Sequence, residues 1–178
     1  FALQHPPTLV IGDVDSLPAD VQSWLTEQGV PQRTHPRTKD ETDLELALLY
    51  AVEQHRGDIQ IIGGLGGRLD QTLANILLLV HPELTGRNIL FQTEFEKAWV
   101  VWHKTAVHGQ AGDLVSLIPL GGDVRIQQTT GLRWPLNNDT LAFGPARGIS
   151  NELTQPVATV TVSSGQLLCI HTQQQWGR

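Results

Sequence analysis

The chain has 178 residues, of which 40% are hydrophobic and 17% charged, so it should bury a core as one large domain or two small ones. The net charge is −6, with 14 acidic and 7 basic side chains in residues 1–103 against 4 and 5 in residues 104–178. This acidic balance argues against nucleic acid, which requires a basic face. No apolar run reaches the ~20 residues that span a bilayer. The single cysteine, Cys169, excludes an internal disulfide and favours a reducing, cytoplasmic setting.

The first half alternates apolar runs with amphipathic segments. Leu44, Ala47, Leu48 and Ala51 recur at i, i+3, i+4 and i+7, which predicts a helix over residues 42–54 with one buried face. A similar pattern predicts a helix over residues 70–80. Short strands are expected at residues 9–11, 32–34, 59–62, 88–91 and 98–102. A βαβαβ series of this kind is typical of a parallel sheet.

A glycine-rich turn, residues 63–67, joins the strand at 59–62 to the helix at 70–80. Glycines let backbone N–H groups approach a ligand, and the N-terminus of a helix favours an anion. Arg68 adds a planar fork suited to phosphate, whereas the carboxylate of Asp70 would repel phosphate unless a metal ion lay between them. The turn therefore predicts a phosphate and metal site, with an ordinary βα connection as the alternative. Its spacing matches neither common nucleotide-binding motif.

After about residue 104 the pattern changes to short β-type runs separated by turn residues. The runs cover 114–120, 124–129, 140–143, 158–162 and 166–171. We therefore expect an α/β plus all-β protein, with an N-terminal open parallel α/β sheet (Rossmann-like) and a C-terminal antiparallel β-sandwich. The expected domains are residues 1–104 for nucleotide and metal binding and residues 105–178 for the sandwich.

Carboxylates cluster at the predicted ends of strands and starts of helices. Loops at the carboxyl ends of strands in an open α/β sheet line one crevice, so these side chains can converge there. Each aspartate alone is explained as a cap or turn residue, but together, beside Lys39 and Arg68, they favour a metal–nucleotide site. Mg²⁺ is the expected metal, because it prefers oxygen ligands shared with substrate phosphates. The carboxylates are Asp13, Asp15, Asp40, Asp43 and Asp70.

Several motifs, in order along the chain, resemble those of the thiamin pyrophosphokinase family. In the first half they are Gly12-Asp13-Val14-Asp15-Ser16, Lys39-Asp40-Glu41-Thr42-Asp43 and Gly64-Leu65-Gly66-Gly67-Arg68-Leu69-Asp70-Gln71. In the second half they are Thr130-Gly131-Leu132-Arg133-Trp134-Pro135-Leu136, Leu141-Ala142-Phe143-Gly144 and Ile149-Ser150-Asn151-Glu152. The resemblance implies transfer of the diphosphoryl group of ATP to the hydroxyl of thiamin, giving thiamin diphosphate and AMP.

The resemblance also implies roles for individual residues. Mg²⁺ would be held by Asp13, Asp15, Asp40 and Asp43, and phosphates would contact Lys39, Thr42 and Arg68. The residues expected to act in catalysis are Asp70, Arg68 and Asp43, with Asp70 either binding metal or taking the thiamin proton. Thiamin would stack on Trp134 and bond to Ser150, Asn151 and Gln71. The family implies a homodimer with the site between subunits.

One departure from the family matters, a second position varies within the family, and two other functions are kept as alternatives. The family begins with a further β-α unit that has no counterpart before Leu9, and Gln71 occupies a position where many bacterial members have His. Because the first residue is Phe1 and methionine is absent, we expect the sequence to begin inside a longer product. The alternatives are a pyrophosphokinase for another hydroxymethyl heterocycle, such as a pterin, and a non-catalytic thiamin- or nucleotide-binding relative.

Overall fold

The computed structural model describes residues 5–13, 17–34 and 40–174. Two expected site residues, Asp15 and Lys39, lie outside these ranges. Packing divides the chain into two compact units, Phe1–Arg56 and Gly57–Arg178. The expected domain boundary near residue 104 concerns function rather than packing, and it stays a prediction.

The first unit pairs two short parallel strands with two helices. Its elements are β1 (Val10–Gly12), α1 (Ala19–Glu27), β2 (Gln32–Thr34) and α2 (Asp43–Gln54). Val10 of β1 pairs with Gln32 of β2. The hydroxyl of Thr42 caps α2 by accepting the backbone N–H of Glu45 at 3.2 Å, and Leu48 is buried on the inner face of α2. The helix predicted at 42–54 is confirmed.

The second unit begins with the remaining α/β elements. They are β3 (Ile59–Ile62), α3 (Leu69–Leu78), β4 (Ile89–Gln92) and β5 (Glu96–Val101). β3 and β4 are parallel, as expected, but β5 runs antiparallel to β4. Only residues 93–95 connect β4 to β5, and a parallel crossover needs a dozen or more residues. The prediction that the last strand continues a parallel series was therefore wrong.

The rest of the second unit is an antiparallel β structure. Its strands are β6 (Lys104–His108), β7 (Leu114–Thr130), β8 (Asn137–Leu141), β9 (Asn151–Glu152) and β10 (Val157–Thr172). The sheet order is β3-β4-β5-β10-β7-β8, with β6 paired to β10 and β9 paired to β7. The runs expected as separate strands at 114–120 and 124–129 form one strand, as do those at 158–162 and 166–171. Register shifts between Thr161 and Gln166 bend β10, and Gly165 fits there because a Cβ would lie 2.6 Å from the Asp123 carbonyl oxygen.

This bend brings both halves of each long strand onto one core. Leu117 and Ile126, which lie in the two halves of β7, join the same buried cluster, as do Val160 and Leu167 of β10. Cys169 is fully buried in that cluster, and burial raises the pKa of its thiol to about 12. The α/β plus β-sandwich class is confirmed. Among the helices of the described residues, none has the length and apolar character needed to cross a membrane.

A buried ionisable pair ties the end of β10 to the loop before β7. His171 Nε2 lies 2.9 Å from Asp113 Oδ2, and each residue is 4% exposed. Burial raises the pKa of Asp113, but the backbone N–H groups of Gln110 and Gln174 and the His171 ring together outweigh it. The pKa of the Asp113 carboxyl is therefore below its ordinary value, and the group is ionised at neutral pH.

Candidate active site

Two expected metal ligands meet in the first unit. Asp13 follows β1 and Asp43 begins α2, and the backbone N–H of Asp13 donates to Asp43 Oδ2 at 3.5 Å. Gly12 has φ 139°, and a Cβ there would lie 2.8 Å from both Cγ and Oδ2 of Asp43. The glycine therefore makes the space in which the Asp43 carboxylate lies. The pair offers the oxygen atoms that a hard cation prefers.

Asp40 and Thr42 are the other expected metal and phosphate residues that the structure describes in this unit. Asp40 is exposed in a bend before α2. The Thr42 hydroxyl oxygen caps α2 by accepting a hydrogen bond. The hydroxyl hydrogen and the backbone N–H of Thr42 also lie at the N-terminus of this helix. Within residues 5–13, 17–34 and 40–174, no three His, Cys, Asp or Glu side chains are arranged to hold a metal. The Asp13–Asp43 pair is thus the part of the expected carboxylate cluster that the described residues bring together.

The glycine turn in the second unit is built as the sequence predicts. Gly63, Gly66 and Gly67 have φ values of 77°, 97° and 72°, which L side chains rarely adopt. A Cβ at Gly64 would lie 2.6 Å from the Phe91 ring, so this residue is held against the sheet. Asn75 of α3 donates its Nδ2 to the Gly64 carbonyl at 2.7 Å. The turn is therefore fixed at the start of a ten-residue helix whose N-terminus favours an anion.

Arg68 and Asp70 form a two-pronged ion pair at this helix start. Arg68 Nε and Nη2 lie 3.1 and 2.5 Å from the two Asp70 oxygens, and the side chains are 71% and 65% exposed. The Arg68 bond, followed by the backbone N–H of Gln71 at 3.0 Å, holds the pKa of Asp70 below its ordinary value. The same bond raises the pKa of Arg68. Asp70 is therefore ionised at neutral pH, and Arg68 keeps an exposed guanidinium; the Gln71 side chain is also exposed.

Asn151 of β9 is hydrogen-bonded to the backbone of Trp134 in the β-sandwich. The Trp134 backbone N–H donates to Asn151 Oδ1 at 3.1 Å, and Asn151 Nδ2 donates to the Trp134 carbonyl at 2.7 Å. Asn151 is 8% exposed, whereas the Trp134 side chain projects with 53% exposure. Two of the residues expected to contact thiamin are thus joined directly.

Ser150 adopts a backbone conformation that is uncommon for a residue other than glycine. Its φ is 56°, and its N–H donates to the Ser116 hydroxyl oxygen on β7 at 3.1 Å. Sequence reasoning missed Ser116, since one serine among the alternating residues of a strand has no distinguishing signal. It also missed the Arg133–Glu152 ion pair at 2.8 Å, although the opposite charges within the two motifs were a usable signal.

A glycine turn at a helix start with an arginine beside it, aspartates after β1 and at the start of α2, and an exposed tryptophan on the β-sandwich are the features expected of an enzyme that transfers phosphate groups. A family model described as "Thiamin pyrophosphokinase, catalytic domain" matches residues 2–91, and one described as "Thiamin pyrophosphokinase, vitamin B1 binding domain" matches residues 104–167. The chain belongs to the thiamin pyrophosphokinase family.

Individual relatives agree with this assignment. The chain is 31% identical over 170 residues to "Thiamine pyrophosphokinase" of Bacillus subtilis, covering 93% of this chain and 78% of that protein. It is 28% identical to "Thiamine pyrophosphokinase 1" of Arabidopsis thaliana, covering 94% of this chain and 66% of that protein. The crystal structure of thiamin pyrophosphokinase from Geobacillus thermodenitrificans superposes with a TM-score of 0.83 at 32% identity, covering 96% of this chain and 79% of that one. The chain therefore spans about two thirds to four fifths of these relatives.

Proposed function

We propose that the chain transfers the diphosphoryl group of ATP to the hydroxyl of thiamin, giving thiamin diphosphate and AMP. The observation that carries the proposal is that one chain matches both the catalytic and the vitamin B1 binding domain of the family. The second match favours thiamin over a pterin as the acceptor. We keep residues 1–104 as the nucleotide- and metal-binding domain and residues 105–178 as the thiamin-binding domain.

The phosphate chain of ATP is expected at the glycine turn. The N-terminus of α3 and the exposed Arg68 guanidinium both favour an anion there. In the reaction the thiamin oxygen forms a bond to the β-phosphorus, the bond to the α,β-bridging oxygen breaks, and AMP leaves. For such a transfer the protein mainly positions the reactants and balances their charge.

We assign to Asp70 the proton that the thiamin hydroxyl loses. It is ionised and exposed, and it already accepts hydrogen bonds from Arg68. An Arg68 that turns to a phosphate would release an oxygen of Asp70 for the hydroxyl. The lowered pKa makes Asp70 a weak base, which equally suits the alternative role of metal ligand.

Mg²⁺ suits the carboxylates that follow β1 and begin α2. The backbone of Asp13 lies against the Asp43 carboxylate, for which the missing Cβ of Gly12 leaves room, and both residues carry the oxygen ligands that Mg²⁺ prefers. The proposed ligands are these two residues with Asp15 and Asp40. When bound, Mg²⁺ supplies positive charge that offsets the phosphate oxygens in an otherwise acidic half of the chain.

Thiamin is a flat cation, so an exposed indole is a suitable platform for its rings. Trp134, Phe143 and Ile149 are large apolar side chains that remain about half exposed on the β-sandwich, at 53%, 59% and 49%. A second subunit would cover such a surface, and this supports a homodimer with the site between subunits. The buried, single Cys169 supports a cytoplasmic setting.

Product analysis tests the proposal. Thiamin with Mg-ATP should yield AMP and thiamin diphosphate in equal amounts, and a hydroxymethyl pterin should not be used. Release of ADP contradicts diphosphoryl transfer, and thiamin binding without any AMP release identifies a non-catalytic relative. Asp58→Asn is a matched control for active-site aspartates, since Asp58 is exposed at the start of β3 and bonds only to Asn88 among the described residues.

A further inference from the structure

We propose that Asn151 is a positioning residue that fixes Trp134 for thiamin rather than a thiamin ligand; the inference rests on the proposed function. The Asn151 side chain makes three hydrogen bonds within the protein. It bridges the N–H and C=O of Trp134 at 3.1 and 2.7 Å, and its Oδ1 also accepts the backbone N–H of Glu152 at 2.9 Å.

These bonds leave the side chain little capacity for a ligand. An amide oxygen has two lone pairs, and both are used by the N–H groups of Trp134 and Glu152. One of the two Nδ2 hydrogens is committed to the Trp134 carbonyl. With 8% exposure against 53% for Trp134, Asn151 is turned into the protein while the indole faces outward. The group that can meet thiamin is the indole, and Asn151 acts through it.

The neighbouring pair reinforces the same geometry. The Arg133 N–H donates to the Glu152 carbonyl at 2.9 Å, and the Arg133 guanidinium bonds to the Glu152 carboxylate at 2.8 Å. This holds Arg133 Cζ over the Trp134 ring, 5.1 Å from its centroid. A guanidinium on one face of the indole repels a second cation there, so the cationic thiazolium stacks on the opposite face.

The energetic consequence is that Trp134 is pre-organised for its ligand. A side chain that is already ordered loses less conformational entropy when its ligand binds, so affinity depends on what holds it. Here a single amide fixes both polar groups of the Trp134 backbone. Disturbing Asn151 should therefore weaken thiamin binding only while Trp134 is present.

A double-mutant cycle tests this dependence. Asn151→Asp keeps the volume and one acceptor but places an oxygen against the Trp134 carbonyl; its negative charge would attract thiamin, so a loss of affinity cannot come from charge. By calorimetry, Asn151→Asp should raise the Kd for thiamin ~10-fold with Trp134 and less than ~2-fold in the Trp134→Ala background. Asn137→Asp, an exposed change on β8, is the charge-matched control and should change Kd less than ~2-fold. Equal losses in both backgrounds, or none in either, overturn the proposal.

Fluorine NMR decides the same question without ligand. In protein labelled with 5-fluorotryptophan, the Trp134 resonance is assigned by its loss in Trp134→Phe. Asn151→Ser, which is too short to bridge Trp134, should broaden or split that resonance while the other tryptophan resonances stay narrow. An equally narrow Trp134 resonance overturns the proposal, even where Asn151→Asp does not fold. If the wild type binds no thiamin, the proposed function fails and this spectrum still decides the role of Asn151.

Discussion

Replacing Gly12 by alanine tests whether the backbone at the end of β1 sets the place of the Asp43 carboxylate. The added Cβ would lie 2.8 Å from Cγ and Oδ2 of Asp43, and ordinary contact begins at 3.4 Å. The carboxylate must therefore withdraw by about 0.6 Å, the difference between these distances. Because the atoms that move are the end of a side chain, the cost in folding free energy is small. The effect should fall on activity.

The magnitude follows from the displacement. A misplacement of ~1 Å at a reacting centre costs ~10²-fold in rate, so a shift of this size should lower kcat/KM by about 10- to 100-fold. Alanine at positive φ also costs about 1–3 kcal/mol of stability. That second cost is separable, because it does not depend on Asp43.

Gly29→Ala is the control for an alanine placed at positive φ without a steric clash. Gly29 has φ 63° in the same unit, and a Cβ there meets nothing within 4 Å. Both variants should melt at a slightly lower temperature, and only Gly12→Ala should lose kcat/KM in an AMP-release assay with thiamin and Mg-ATP. Full activity in Gly12→Ala would show that the reaction does not need Asp43 where the structure places it.

Three further changes have distinct expected outcomes. Asp70→Asn should lower turnover by ~10²-fold or more with an unchanged melting temperature, since the Asp70–Arg68 pair is exposed. Asp113→Asn should cost about 1.5–3 kcal/mol of unfolding free energy at pH 7, measured in urea. Because the folded pKa of Asp113 is lowered, its contribution is complete above the unfolded pKa and disappears as the pH falls through the folded value. Cys169, with its pKa raised to about 12, should resist thiol reagents at pH 8 until the protein unfolds.

For each of these three predictions, one result would contradict it. Wild-type turnover in Asp70→Asn removes both roles proposed for that carboxylate, with Asp58→Asn as the control for loss of a surface charge. If the urea midpoint of Asp113→Asn falls as steeply with decreasing pH as that of the wild type, then other groups cause the loss of stability in acid. Rapid labelling of Cys169 in the folded protein would mean that the β-sandwich core opens readily.

The order and type of most elements could be predicted, because they depend on local patterns. The period of Leu44 and Leu48 shows one face of α2, and glycines before Arg68 mark a turn whatever the rest of the chain does. The direction of β5 was also within reach, because only residues 93–95 separate it from β4, too few for a parallel crossover. Its other neighbour could not be predicted: an apolar run shows that a strand is buried, but β10 lies some 70 residues further along the chain.

The candidate site, like the fold, could be predicted from the sequence only in part. The family resemblance predicted that Trp134, Ser150 and Asn151 belong together, and the structure joins Trp134 to Asn151. It could not show that Asn151 is turned inward, since that depends on the positive φ of Ser150 and its bond to Ser116. Likewise, Gly12 reads only as a turn residue until the Asp43 carboxylate is seen against it. The convergence of all the expected carboxylates stays a prediction.

β10 lies between β5 and β7 in the sheet, although it comes after both of them and is the last strand of the described residues. During synthesis the preceding strands of the second unit leave the ribosome before the strand that joins them. Until residues 157–172 are released, β5 and β7 expose unpaired edges that can join other chains. Ribosome stalling or early termination in this region should therefore give aggregation rather than a shortened but folded protein.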